Sequence, residues 1–106
     1  MASIGKTEAY EKWIRKLRDR RARARINIRL RRLLLGIPGD ARSVGRGVWE
    51  LRIDYGPGYR VYFMRVVEQS FVLLRGGDKG SQKTDIELAR KMARMIAGRR
   101  ENGREE

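Results

Sequence analysis

The sequence predicts an α+β fold: an N-terminal helical hairpin packed on a small antiparallel β-meander, followed by a C-terminal helix. Apolar residues recur at helical spacing through residues 8–34 and again after residue 84. Between these stretches they alternate at strand spacing through residues 48–63, and Gly-Pro-Gly at 56–58 interrupts the alternation. These patterns set the predicted order of helices and strands.

The first third of the chain is predicted to be mostly helical, after a short edge strand at residues 3–6. Thr7 is a suitable N-cap for a first helix over residues 8–18, and Asp19 for a second helix. The second helix ends at the glycine-rich residues 36–47, which have no periodicity and are predicted to be a loop. Its apolar stripe consists of Ala22, Ile26, Leu30, Leu33 and Leu34. We expect the two helices to pair as a hairpin.

The two strands around Gly-Pro-Gly are predicted to form a β-hairpin with a defined register. Alternation puts Trp49, Leu51 and Ile53 on the core face of the first strand, and Tyr59, Val61 and Phe63 on the core face of the second. A loop at residues 54–58 pairs Arg52 with Arg60 and joins both apolar rows in one core, whereas a shift by one residue would bury an arginine. We therefore expect Arg52, Arg60 and Tyr62 to share an open face of the sheet.

A third strand and a last helix complete the predicted fold. Residues 71–74 are apolar at every position, as in a strand that is buried on both faces, and they follow a predicted turn at 68–70. The polar and glycine-rich residues 75–81 break the pattern. Residues 84–87 read as a capping box that opens a helix ending near Gly98.

Length and charge constrain the function. The chain has 106 residues, which predicts one domain over residues 1–98, with a charged tail at 99–106 predicted to be disordered. Lys and Arg number 26 against 13 acidic residues, so the formal net charge is +13. That excess suggests a polyanionic partner, first of all nucleic acid, although an anionic membrane surface or an acidic protein also fits.

Several classes of chemistry are disfavoured by composition. The absence of cysteine and histidine removes disulfides, thiolate nucleophiles, thiolate metal sites and the commonest general base. No metal and no cofactor are expected, because there is no metal-ligand cluster and the spacing around Gly76 and Gly77 is not that of a phosphate loop. No stretch approaches the length of a membrane span, and the N-terminus does not resemble a signal peptide, so we expect a cytoplasmic protein.

The second helix carries an excess of arginine that has two interpretations. The arginines are Arg20, Arg21, Arg23, Arg25, Arg29, Arg31 and Arg32. They form either a solvated face whose stems cover apolar surface or a phosphate-binding surface, in which Arg29 and Arg32 are the candidates. Tyr62, if exposed beside the strand arginines, could stack on a base. Trp13 and Trp49 lie on apolar faces and are predicted to belong to the core.

The order of these motifs resembles the RelE/ParE toxin superfamily, and in particular its HigB-like branch of addiction-module killer proteins. The resemblance covers residues 7–96. It is carried by the arginine-rich helix, the Gly-Ile-Pro-Gly-Asp loop, the strands Val-Trp-Glu-Leu-Arg-Ile and Tyr-Arg-Val-Tyr-Phe, the Gly-Gly-Asp-Lys run at 76–79, and Asp85-Ile86.

The resemblance implies a type II toxin–antitoxin toxin, a compact α/β protein that cleaves mRNA, in its relatives usually on the translating ribosome, and so inhibits translation. By motif, the family's basic strand residues correspond to Arg52 and Arg60, and its basic residue after the last strand corresponds to Lys79. Members with a tyrosine near the start of the last helix would place it close to Asp85, where this chain has no aromatic residue. The expected partners are mRNA, the ribosome and an antitoxin of the helix-turn-helix type.

The chemistry of RNA cleavage assigns roles to these residues independently. Arginine stabilises phosphorane charge but does not deprotonate in proteins, so Arg52 and Arg60 are expected to clamp phosphate. The general base is then Glu50, Asp78 or Lys79, unless the ribosome or the substrate supplies it. Glu50 and Asp78 are accordingly candidates for contact with RNA, and the reaction requires no metal.

Two other functions remain open from the sequence. A ParE-like protein would inhibit DNA gyrase with the same fold and a less basic sheet face, and a simple nucleic-acid-binding module would show affinity without turnover. Basic residues at positions 52, 60 and 79 favour the ribonuclease.

Overall fold

A five-stranded mixed sheet forms the centre of the protein, whose structure is a computed structural model describing residues 2–67 and 69–105, with side chains through Arg99. The strands are β1 Ser3–Lys6, β2 Ala41–Gly45, β3 Val48–Ile53, β4 Tyr59–Val67 and β5 Ser70–Gly77. The helices are α1 Glu8–Lys16, α2 Arg20–Leu34 and α3 Gln82–Glu105, with a 3₁₀ turn at Lys79–Ser81. Strand order is β1-β5-β4-β3-β2; β1 is parallel to β5, and the other pairs are antiparallel. The predicted α+β class and the edge position of β1 are confirmed.

The helices lie on both faces of the sheet, so the predicted N-terminal hairpin on a small meander is wrong. α1 packs on β5 and α2 packs on β3, side by side over one face. α3 covers the opposite face, where Ala89 and Ala93 contact a second apolar cluster around Val48 and Leu74. The reason is that α1 and α2 both direct their apolar stripes at the sheet, which buries more apolar surface than a contact with each other.

The predicted register of the β3–β4 hairpin is confirmed. Arg52 pairs with Arg60, Leu51 with Val61, and Ile53 with Tyr59. The apolar rows of both strands enter the core beneath α1 and α2 as predicted, with one exception. Trp49 is 43% exposed, because α2 ends at Leu34 and does not extend over the part of the sheet where Trp49 lies.

Strand β2 was not predicted, since its residues lie in the stretch read as a loop. Only Val44 is a strong strand former that is also buried there, so the sequence has little strand character. Hydrogen bonds hold the strand in place: Arg42 Nε donates to Glu50 Oε1 at 2.9 Å, and Arg90 Nε donates to the carbonyl of Val44 at 2.8 Å. Arg46 and Gly47 connect β2 to β3 with positive φ values of 55° and 79°, as a tight hairpin turn requires.

The end of β5 and the start of α3 also differ from prediction. β5 continues through Gly77, although the sequence pattern breaks after residue 74. The capping box is made by Asp78 and Ser81 at the 3₁₀ turn rather than by residues 84–87. α3 runs past the predicted end near Gly98, with its backbone helical to Glu105.

Two predictions fall wholly or partly outside the described residues. The turn at 68–70 includes Glu68, which is not described, although β4 and β5 do meet there through the pairing of Val67 with Ser70. The tail after Arg99 has no described side chains, and Glu106 is not described at all. Its predicted disorder, and the domain limit at residue 98, stay predictions.

Candidate functional site

The three basic residues predicted to act together lie at one end of the sheet. Arg52 and Arg60 are direct partners across β3 and β4, and Arg60 pairs on its other side with Gly77 of β5. The 3₁₀ turn follows at once, so Lys79 comes next to the tip of the β3–β4 hairpin, where its backbone amide donates to the carbonyl of Pro57 at 3.4 Å. The register therefore brings Arg52, Arg60 and Lys79 together at one end of the sheet.

Gly58 is the point at which two of them meet. A Cβ at this position would lie 3.0 Å from Arg60 Nη1 and 3.5 Å from Lys79 Cβ, and the residue has φ +80°. A larger residue would be strained in this backbone conformation and would crowd the guanidinium. From the sequence, Gly58 was interpreted only as a turn residue. The structure shows that it also makes room for Arg60 beside Lys79.

Arg60 is held in a buried position rather than on an open face, so the exposure predicted for this residue is wrong. Only 11% of its side chain is exposed. Nη1 donates to the carbonyl of Gly58 at 2.5 Å, and Nε lies 3.6 Å from Glu50 Oε2. Nε has no hydrogen-bond partner among the described residues. The guanidinium is fixed between a carboxylate and the hairpin tip.

Glu50 is fully buried and is the centre of a polar network that joins four elements. Its Oε1 accepts from Arg42, and its Oε2 accepts from the Tyr62 hydroxyl at 3.0 Å and from Gln82 Nε2 at 2.9 Å. Burial opposes ionisation of this carboxyl, but the hydrogen bonds from Gln82, Arg42 and Tyr62 outweigh it, so the pKa of Glu50 lies below its ordinary value. Glu50 is a charged anchor for Arg60.

Tyr62 belongs to the same network, and its predicted exposure is wrong. Its side chain is fully buried because α3 covers this face of the sheet. Burial and the neighbouring charge of Glu50 raise the pKa of Tyr62 above its ordinary value, so the hydroxyl stays protonated and donates. Neither Tyr62 nor Glu50 reaches the surface to contact RNA in this structure.

Arg52 occupies the solvent side of the row. Its Nη2 and Nε donate to Asp40 Oδ1 at 2.8 Å and 3.1 Å, and hydrogen bonding with the charge of Asp40 raises the pKa of Arg52. Both side chains are substantially exposed, so this pair contributes little to stability. Arg52 is therefore available to an anion that competes with Asp40.

Lys79 and Asp78 have different positions although they are neighbours. Lys79 is exposed. Asp78 is partly buried, and its Oδ1 caps the 3₁₀ turn by accepting from the amides of Gly80 and Ser81 at 2.8 Å and 3.3 Å. Asp78 therefore caps the turn, whereas the Lys79 side chain is exposed to solvent.

A second buried ion pair next to this site was missed from the sequence. Asp85, at the start of α3, accepts from Arg75 Nε at 3.1 Å and from the Ser81 hydroxyl at 2.5 Å. A Cβ on Gly77 would lie 1.9 Å from Asp85 Oδ2, and one on Gly76 would lie 2.1 Å from Trp13 Cε3. The two glycines face opposite helices, so close packing rather than phosphate binding explains why glycine is present at both positions. In the sequence, the available signal for the ion pair was an aspartate in the first turn of a helix that follows a Gly-Gly pair.

The arginines of α2 divide between the two interpretations. Arg29 is a structural residue: it donates to the carbonyls of Arg52 at 2.5 Å and Pro38 at 2.9 Å, and burial lowers its pKa. Contact of Arg29 with RNA stays a prediction. Arg32 is exposed and remains a candidate for phosphate contact.

Two features of the described residues bear on cofactors and membranes. Among them, acidic side chains nowhere gather in a group of three that could hold a metal ion. None of the helices in the described part of the chain combines the length and apolarity that a bilayer crossing requires.

Comparison with known proteins identifies the family. Residues 12–95 match the family described as "Phage derived protein Gp49-like". The chain is also 45% identical over 93 residues to an uncharacterized protein of Haemophilus influenzae, an alignment that covers 88% of this chain and 94% of that protein. The matched region includes both strands of the hairpin, the Gly-Gly pair and most of α3. The chain therefore belongs to the phage-derived Gp49-like family, whose members are toxin-like and related to the RelE and HigB toxins.

Proposed function

We propose that the protein is the toxin of a type II toxin–antitoxin module, of the HigB-like branch, and that it inhibits translation in the cytoplasm by cutting mRNA on the ribosome. Family membership supports the toxin part of this proposal. The ribonuclease part is carried by one observation: Arg60 is fixed between Glu50 and the hairpin tip, beside Lys79 and next to Arg52.

The geometry suits stabilisation of a pentavalent phosphate. Attack of a 2′-hydroxyl on the adjacent phosphate develops negative charge on the non-bridging oxygens, and cations held in advance at that point lower the barrier without reorganising. Gly58 and Glu50 already orient the Arg60 side chain, so less conformational entropy is lost when it binds a phosphate. Arg52 and Lys79, both more exposed, would bind the phosphates on either side.

The general base has fewer candidates than the sequence suggested. Glu50 is buried, holds three hydrogen-bond donors and has a lowered pKa, all of which make it a poor proton acceptor for a substrate. Asp78 is engaged in its cap. Lys79 is left, as an acid for the leaving 5′-oxygen, with the ribosome or the RNA itself supplying the base.

The proposal also assigns partners. With a net charge of +13, the chain is suited to approach RNA and the ribosome by electrostatic attraction. An antitoxin of the helix-turn-helix type, encoded beside the toxin, would neutralise it through acidic segments for the same reason.

Mapping of cellular mRNA ends tests the activity. Cells expressing the protein are expected to arrest growth and to show new 5′ ends within translated frames by primer extension, while Arg60→Lys, which keeps the charge but loses the planar fork, gives far fewer. Intact messages with double-strand DNA breaks would instead indicate gyrase inhibition. RNA binding without cuts or arrest would indicate a non-catalytic module.

A further inference from the structure

An apolar groove of about 560 Å³ opens on the face of the sheet that carries α1 and α2. It lies past the C-terminal end of α2, and its principal lining residues are Leu33, Pro38, Trp49, Phe63, Arg65 and Phe71. Glu50 and Tyr62 alternate with Trp49 and Phe63 along β3 and β4, so they face the opposite side. The groove is thus separate from the Arg60 site.

Large apolar side chains around this groove are exposed to an unusual degree. Trp49 is 43% exposed, and the segment that forms one wall carries Leu35 and Ile37, exposed by 74% and 64%. Two hydrogen bonds hold this segment in place: Arg29 Nη2 donates to the carbonyl of Pro38, and the amide of Ile37 donates to the carbonyl of Arg32 at 2.9 Å. Exposed apolar side chains beside an apolar groove, on a highly charged chain, are typical of a protein-binding site.

The charges around the groove indicate an acidic partner. Arg65 is the charged residue among those that line it, and its guanidinium stacks 5.9 Å from the ring of Phe71. Arg32 and Arg46, both exposed, directly precede the lining residues Leu33 and Gly47. The carboxylates adjoining the lining in sequence are engaged elsewhere, Asp40 with Arg52 and Glu50 with its buried network.

We propose that this groove is the docking site for the antitoxin, which inserts an apolar side chain beside Trp49 from a segment whose carboxylates pair with Arg65. The inference rests on the proposed function. Nucleic acid fits less well, because Arg65 is the single cation among the described residues that line the groove, whereas a nucleic-acid strand is held through several phosphate contacts. A second copy fits less well because each copy carries a net charge of +13.

The test uses the purified protein encoded by the reading frame next to that of this chain, titrated against four versions of the toxin: wild type, Trp49→Ser, Arg65→Glu and the control Met95→Ser. Met95 is 59% exposed on α3, on the other face of the sheet. Trp49→Ser and Arg65→Glu are each expected to weaken binding by about tenfold or more, as for a buried aromatic or arginine anchor. Met95→Ser is expected to bind as wild type.

Three further readouts separate the possible failures. Thermal melting checks that each variant folds, and expression without the neighbouring protein checks that each still arrests growth. If the neighbouring protein neutralises Trp49→Ser as well as it neutralises wild type, the docking site is overturned while the toxin function stands. A selective loss of affinity of Trp49→Ser for a single-stranded RNA oligonucleotide would also overturn it, because that result would mark the groove as a nucleobase site. A wild-type chain that does not arrest growth would refute the proposed function itself.

Discussion

Replacement of Arg60 by alanine should separate stability from activity, and the structure gives a magnitude for each. Arg60 Nε lies 3.6 Å from Glu50 Oε2, so the gross attraction is about 5 kcal/mol at an effective dielectric of about 20. Burial of the guanidinium offsets much of this, and Glu50 keeps Arg42, Tyr62 and Gln82, so we expect Arg60→Ala to destabilise the fold by about 2 kcal/mol. If Arg60 clamps the phosphate, cleavage should fall by about a hundredfold or more, a loss of about 3 kcal/mol in the transition state.

Arg42→Ala is the matched control, because Arg42 also binds Glu50 but is half exposed on the edge strand β2, away from Lys79 and the hairpin tip. It should cost about 1 kcal/mol of stability and leave cleavage near wild type. The assay is thermal melting together with mRNA cleavage and growth arrest for each variant at a temperature where all are folded. An Arg60→Ala protein that is folded and still arrests growth at the wild-type rate would refute the assignment, as would equal losses of activity in both variants.

Three further substitutions test the packing and the titrating groups around the site. Gly77→Ala should destabilise the fold by about 2 kcal/mol in thermal melts, since its Cβ would overlap Asp85 Oδ2 at 1.9 Å; a neutral effect would contradict the placement of Asp85. Tyr10→Phe should be neutral or stabilising by up to about 1 kcal/mol, because the buried hydroxyl has no partner among the described residues. Burial raises the pKa of Tyr10 to about 12, so wild-type stability should also fall between about pH 10 and 12 in urea titrations, and this loss should be smaller in Tyr10→Phe. The pKa of Glu50 is lowered in the folded protein, so its stabilising effect is present above the ordinary carboxyl pKa and is lost as pH falls through the folded pKa. Glu50→Gln should therefore be less stable than wild type at pH 7 and lose less stability on acidification; equal acid sensitivity would contradict the network.

The hairpin and its register could be predicted from the sequence because they depend only on the alternation of apolar residues and on the cost of burying an arginine. Arg52 opposite Arg60 places both apolar rows on the same face, whereas a shift by one residue would bury an arginine. The caps at Thr7 and Asp19 were equally local, since each side chain accepts from an amide two or three residues on. These features depend on neighbours in the chain.

Features that depend on what covers the sheet were not predictable in this way. Alternation places Arg60 and Tyr62 on one face but does not say whether a helix lies over it, and α3 does. The burial of Glu50 follows from the same contact: Tyr62 is its partner across β3 and β4, but Gln82 approaches it only when α3 docks. Strand β2 was not predicted because its own strand propensity is low. It is held by hydrogen bonds with distant residues, from Arg42 to Glu50 and from Arg90 to the carbonyl of Val44.

The most direct test of the central claim is cleavage of a defined mRNA by the purified protein on purified translating ribosomes, with wild type and Arg60→Ala compared at equal folded concentration. The proposed function predicts cuts within the translated frame by wild type, in the absence of added metal beyond what the ribosomes need, and about a hundredfold slower cutting by Arg60→Ala. An intact message after incubation with folded wild-type protein that arrests growth in cells would contradict the ribonuclease assignment.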